Sequence, residues 1–165
     1  MRSTQSVFFF LLGAAPGPGI CLPRRGIAVM RRFETNMETT TLHPVVMKLN
    51  FPFITRKPSF CGRTLIEGHN TELLHRYVLA MALELKANAA DLADCEVQAI
   101  RLGGGSASII NGSDLDHLLR LIRSCYHVAE DAPVTMRTCP ADINGANMPF
   151  YNRSHVTRYD LELYS

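Results

Sequence analysis

The chain has 165 residues, 47% of them hydrophobic and 19% charged, with a net charge of +2. That composition suits one ordinary globular domain and excludes an intrinsically disordered chain. The Lys and Arg residues are scattered rather than clustered, which argues against a nucleic-acid partner, and no stretch reaches the ~18 uninterrupted apolar residues of a membrane span.

The N-terminal stretch MRSTQSVFFFLLGAAPGPG carries an arginine, then an apolar run from Val7 to Ala15, then small residues. That is the outline of a secretory signal. The continuation, APGPGICLPRRG, and further methionines at 30 and 37 depart from it. Residues 1–36 are therefore expected to be a disordered or mis-started leader, leaving 37–165 as the domain.

The segment PVVMKLN (44–50) is short, apolar and rich in β-formers, which predicts a buried strand. A polar, proline-punctuated loop follows, FPFITRKPSFCGRTLIEGHN. Residues 71–92 then place Leu74, Tyr77, Val78, Met81 and Leu85 at helical spacing, with Asn70 or Thr71 as N-cap. CEVQAIRL (95–102) predicts a second strand, ended by Gly103, Gly104 and Gly105. Ser113 is the expected cap of a second helix with the stripe Leu115, Leu118, Leu119, Ile122 and Cys125, and an acidic first turn that suits the helix dipole. APVTMRTC (132–139) predicts a third strand, residues 140–155 a loop or broken helix, and VTRYDLELYS (156–165) a fourth strand.

The predicted order is β-α-β-α-β-(α)-β. Strands alternating with helices imply an α/β fold with a parallel sheet and right-handed crossovers, here about four strands of a partial (β/α) TIM-like barrel. Ligands in such sheets sit at the C-terminal strand ends, where both the glycine run and the loop carrying Cys61 fall.

The five cysteines, at 21, 61, 95, 125 and 139, are odd in number and form no CxxC pair, so no disulfide framework is expected. From Met37 onward the chain reads as cytoplasmic, with Cys95 and Cys125 as small buried hydrophobes. Three consecutive glycines lose much backbone entropy on folding, so something is expected to approach the backbone closely. A phosphate, a ribose or an amino-acid group fits that expectation, and so does a structural tight turn. A dinucleotide site fits less well, because its glycines are spaced as G-x-G-x-x-G and open directly into a helix.

With these residues in place, the chain from about Val45 to Ser165 resembles the first half of the catalytic barrel of the radical SAM family. The branch is the one related to oxygen-independent coproporphyrinogen oxidase and to similar heme-handling proteins. Tyr77, Ala80, Met81, Glu84 and Leu85 follow that family's first-helix pattern. Gly103, Gly104, Gly105, Ser106, Ala107 and Ser108 stand where the family has GGGTPS. Thr135 to Pro140 stand where it has T-x-E-x-N-P, and Ser165 stands where its fourth strand ends. The family opens with PFC-x-x-x-C-x-[YF]-C; here Pro52, Phe53, Ile54, Pro58, Phe60 and Cys61 occupy those places.

The resemblance implies S-adenosylmethionine and a [4Fe–4S] cluster as cofactors, with Phe60, Gly103, Gly104, Gly105, Ser106 and Arg137 as cofactor-binding positions and Cys61 as a metal ligand. Three thiolates hold such a cluster. Ile54 and Pro58 replace two of them, and Cys139 would bring the thiols at this rim to two. Lys48 replaces an aromatic and Arg137 replaces an acidic residue. An arginine favours a carboxylate or phosphate over a sulfonium, so porphyrin propionates or a nucleotide suit the altered groove, unless Arg137 merely points to solvent.

Of the six histidines, His75 and His117 are expected to face solvent, while His43 and His69 flank the loop without a partner at ligand spacing. Three readings follow: a radical SAM protein of porphyrin metabolism lacking a working cluster, a binding module for heme, porphyrin or an S-adenosyl compound, or an inactive fragment. The open edge at the fourth strand also suggests a second chain that completes the barrel.

Overall fold

A computed structural model of the chain describes residues 5–9, 27–29 and 42–162, except positions 58, 60, 63, 69, 141, 142, 144, 147 and 155. Pro58, Phe60, His69, His155, Ser165 and most of the expected leader lie outside the described residues.

Its strands are β1 (Gln5–Phe9), β2 (Ile27–Val29), β3 (His43–Phe51), β4 (Phe53–Ile54), β5 (Ile66–Glu67), β6 (Cys95–Gly104), β7 (His127–Val128), β8 (Val134–Thr138) and β9 (Val156–Leu161). Its helices are α1 (Thr71–Asn88), α2 (Gly112–Cys125) and α3 (Met148–Arg153). The main sheet runs β2-β1-β3-β6-β8-β9, with β7 pairing the first half of β6, and β4 and β5 form a small separate pair. Every pairing from β1 through β9 is parallel; only β2 lies antiparallel, against β1. This is the parallel partial barrel that the alternation of strands and helices implies. β1 and β2 fall within the stretch read as a leader.

The four expected strands and two main helices are all present, with shifts that have local causes. β6 does not stop before the glycines but continues through Gly103 and Gly104, paired with Asn50 and Phe51 of β3. The α2 cap is Asn111 rather than Ser113: its side chain accepts from the Ser113 N–H at 3.0 Å. Asn70 caps α1 as expected, accepting from the Leu73 N–H at 3.0 Å. The broken-helix segment contains α3, whose Tyr151 is fully buried and donates to the Ser108 carbonyl at 3.0 Å.

The helices bury their apolar stripes against one face of the sheet. Leu74, Val78, Met81 and Leu85 of α1 and Leu115, Leu118, Leu119 and Ile122 of α2 form one core with Met47, Leu49, Phe51, Ile100, Leu102 and Met136. Burying a side chain of that size contributes about 1.5–3 kcal/mol. His75 at the start of α1 bonds Asp114 in the first turn of α2 at 2.9 Å, so it is exposed yet engaged. Asp116, buried in α2, accepts from Ser154 at 2.8 Å and pairs with Arg120 at 2.8 Å. Among the described residues no helix is long and apolar enough to cross a membrane.

Candidate functional site

β3 was expected to be buried, as both faces of a parallel strand usually are. Instead it alternates: Val45, Met47, Leu49 and Phe51 are buried, while Val46, Lys48 and Asn50 face the concave side and are only half-buried. The polar residues of the other strands fall on the same side. Lys48 pairs in register with Arg101, Arg101 with Thr135, and Thr135 with Arg158. One step toward the C-terminal ends, Asn50 pairs with Gly103 and Arg137 with Asp160. Lys48, Asn50, Arg101, Gly103, Gly104, Thr135, Arg137 and Asp160 line an open cavity of about 270 Å³.

The glycines along this rim do different work. A Cβ on Gly103 would meet nothing within 4 Å. A Cβ on Gly104 would lie 2.0 Å from Asn50 Oδ1, and its φ of +103° is a backbone conformation that side chains disfavour. A Cβ on Gly105 would lie 2.1 Å from the Phe53 carbonyl oxygen. The Gly105 N–H donates to the Phe51 carbonyl at 2.6 Å, and the Ser106 N–H to that of Phe53 at 2.8 Å. What comes close to the backbone at Gly104 and Gly105 is therefore the protein's own β3–β4 turn. Gly103 alone leaves open space on the cavity side.

Ser106 serves the rim as well. Its hydroxyl accepts from the Cys139 N–H at 3.2 Å and bonds Ser108 at 3.0 Å. Ser108 in turn bonds Thr138. Ser106, Ser108 and Thr138 are all buried, so this hydroxyl chain ties the end of β6 to the end of β8 rather than facing the cavity.

Arg137, placed in the sequence as a cofactor contact, does line the cavity, and it is ion-paired with Glu162 at 2.9 Å. Cys61 is half-buried in the loop between β4 and β5. Ile54, at the first cysteine position of the resembled motif, is buried in β4 at 1% exposure. Among the described residues no three of His, Cys, Asp and Glu converge as a metal-binding group.

Tyr77 of α1 ties the helix to the end of β3. Its hydroxyl donates to the Asn50 carbonyl at 2.7 Å, and its ring meets Phe53 edge-on at 5.0 Å. Burial, with the nearby Glu84 second, pushes the Tyr77 hydroxyl up to about 12. Burial also raises Glu84, whose Oε2 is buried without a hydrogen-bond partner. On the concave face, burial and then the Arg101 guanidinium pull the Lys48 amine below its ordinary value.

The concave contributions of Asn50, Arg101, Thr135, Arg158 and Asp160 were missed in the sequence. The signal was available: polar residues two apart interrupt three of the strands, as Lys48/Asn50, Thr135/Arg137 and Arg158/Asp160, and Arg101 interrupts β6 two residues before Gly103.

No family model matches the chain. Over 100 residues it is 26% identical to the oxygen-independent coproporphyrinogen III oxidase of Salmonella typhimurium, covering 61% of this chain and 22% of that protein. Over 127 residues it is 27% identical to the heme chaperone HemW of Escherichia coli, covering 75% of this chain and 33% of that protein. Among solved structures it matches coproporphyrinogen III oxidase (HemN) from Escherichia coli, described as a radical SAM enzyme, with a TM-score of 0.69 at 20% identity. That match covers 74% of this chain and 28% of the other. The chain thus spans between a fifth and a third of the length of these relatives.

Proposed function

We propose, from a chain whose sequence and fold resemble the coproporphyrinogen-oxidase branch of the radical SAM superfamily, that it is a protein of porphyrin (heme) metabolism lacking a functional iron–sulfur cluster. The observation that carries this reading is the pairing of that likeness with a rim that does not fit the cluster. Between Pro52 and Cys61 the chain offers one thiol, and the buried, apolar Ile54 has no atom that ligates iron. Reductive cleavage of a sulfonium takes its electron from such a cluster, so no catalytic step is assigned to this chain.

What remains is a binding role. The concave face carries cations, Lys48, Arg101 and Arg137, and cations favour porphyrin propionates over the sulfonium of S-adenosylmethionine. As a non-catalytic module the chain holds heme, a porphyrin or an S-adenosyl compound. A second chain paired along β9, the last strand in the sheet order, would extend the barrel around that ligand.

Anaerobic reconstitution with iron and sulfide, followed by iron counting and visible absorption, tests the first part. The expected result is no stoichiometric cluster; four irons per chain would overturn it. Titration with hemin and with S-adenosylmethionine tests the second. The informative variant is Gly103→Leu, which fills open space, rather than a change at Gly104, where a side chain collides with Asn50. Hemin binding that weakens in Gly103→Leu supports the module; binding that is unchanged, or absent in the wild type, counts against it.

A further inference from the structure

The two long helices present different outer faces to solvent. On α2 the exposed residues are Ser113, His117, Arg120 and Ser124, all polar. On α1 they include Leu73 at 40%, Leu79 at 45% and Leu83 at 68% exposure. None of these leucines belongs to the buried stripe of Leu74, Val78, Met81 and Leu85. Steps of four and three residues place Glu72, Arg76, Leu79, Leu83 and Lys86 along one seam of the helix, charged toward its ends and apolar at its centre. That spacing is the one along which helices pair. Leucines exposed singly need no explanation, but two that lie one turn apart at the middle of such a seam form a patch. Among the described residues Glu72, Arg76 and Lys86 form no ion pair.

We infer that the outer face of α1 is a self-association surface, which takes α1 of a second copy of this chain in an antiparallel, two-fold arrangement centred on Leu79. Charge selects both that occupant and its direction. Glu72 and Lys86 each lie about two turns from Leu79, on opposite sides of it. A two-fold axis at Leu79 therefore sets Glu72 of each copy opposite Lys86 of the other. Parallel pairing would instead set Glu72 against Glu72 and Lys86 against Lys86. At the axis the two Leu79 side chains meet, Leu83 of each copy packs beside them, and the stem of Arg76 covers Leu83 of the other copy. The helix has 18 residues and is about 27 Å long, so the contact is one helix pair and the dimer is weak and exchanging rather than permanent. The seam lies on the side of α1 away from its core stripe, so association leaves the concave sheet face open. The inference does not rest on the binding-module reading.

Sedimentation velocity of the whole chain over a range of concentrations tests this. Wild type is expected to shift reversibly from monomer toward dimer as concentration rises. Leu79→Gln/Leu83→Gln strips the apolar centre from both copies and is expected to weaken the dimer at least about a hundredfold. Both positions are exposed, and circular dichroism verifies that the fold is kept. The charged ends give a readout that misfolding does not imitate. Glu72→Lys alone sets lysine against lysine, and Lys86→Glu alone sets glutamate against glutamate. Each is expected to dimerise about tenfold more weakly than wild type. Mixed one to one, the two variants regain opposite charges at both contacts, and the mixture is expected to associate more tightly than either alone. Within one chain Glu72 and Lys86 stand about 21 Å apart along the helix, so rescue by mixing requires two copies. A wild type that stays monomeric up to about 1 mM overturns the inference. So does a Leu79→Gln/Leu83→Gln variant that associates as wild type does, which would place the contact elsewhere, or a mixture no tighter than its parts.

Discussion

The two faces of this sheet are built from the same strands and obey different rules. On the convex face Met47, Leu49, Phe51, Ile100, Leu102 and Met136 are at most 1% exposed and pack under α1 and α2. On the concave face, one residue away along each strand, stand Lys48, Asn50, Arg101, Thr135 and Arg137. A side-chain period of two separates the residues that hold the fold from those available to a ligand. Stability should therefore respond steeply to changes on the first face and weakly, even in the opposite direction, on the second.

The largest expected effect is on the convex face. Phe51→Ala removes a fully buried ring at the C-terminal end of β3 and should lower the unfolding free energy by about 3–5 kcal/mol, read from urea denaturation. A loss under about 1 kcal/mol would mean that the face is not the close-packed core described.

The glycine rim sharpens the comparison within three residues. Gly105→Ala drives a Cβ into the Phe53 carbonyl and should destabilise by about 1–3 kcal/mol. Gly103→Ala meets open space and should leave the unfolding free energy within about 0.5 kcal/mol of wild type. Equal effects at the two positions would break the distinction between a packing glycine and a cavity-facing one.

A smaller loss should follow at the hydroxyl chain behind the rim. Tyr151→Phe deletes the buried hydroxyl that donates to the Ser108 carbonyl, for about 1–2 kcal/mol by the same denaturation measurement. No change would show that this bond does not anchor α3 beneath the rim.

Much of the convex face was legible in the sequence. The stripes of α1 and α2 repeat at helical spacing, and the apolar runs of β3, β6 and β8 mark strands whichever neighbour they pair with. The concave face was legible only in part. Lys48 and Arg137 stood out as departures from a resembled motif, whereas Arg101 and Arg158 gain their meaning from register, a long-range property that no local pattern fixes. The glycine run was legible only as an expectation of close approach for the same reason. GGG announces a close approach, but the approaching atoms at Gly105 belong to Phe53, about fifty residues earlier, and only the β3–β6 pairing brings them there. α3 was partly hidden because Tyr151 is held by tertiary burial under a six-residue helix too short to declare itself by periodicity.

The smallest effect tests the concave face most directly, because its sign is opposite. Lys48→Met removes one member of the opposed pair with Arg101 while keeping the length of the side chain, and should stabilise the ligand-free fold by about 0.5 kcal/mol at neutral pH. Its pH dependence identifies the cause. The folded-state pKa of Lys48 lies below its unfolded value, so between the two the unfolded chain binds more protons. The penalty is fully present while both states are protonated, and it fades as pH rises through the folded-state pKa toward 10.5. Wild type should therefore gain on the variant as the solution is made alkaline, and the stability gap should close. Other groups that titrate there, Tyr77 among them, are common to both proteins and cancel in the difference. A variant less stable than wild type at neutral pH, or a gap that widens with pH, would mean that the contacts Lys48 makes in the folded chain outweigh its repulsion from Arg101.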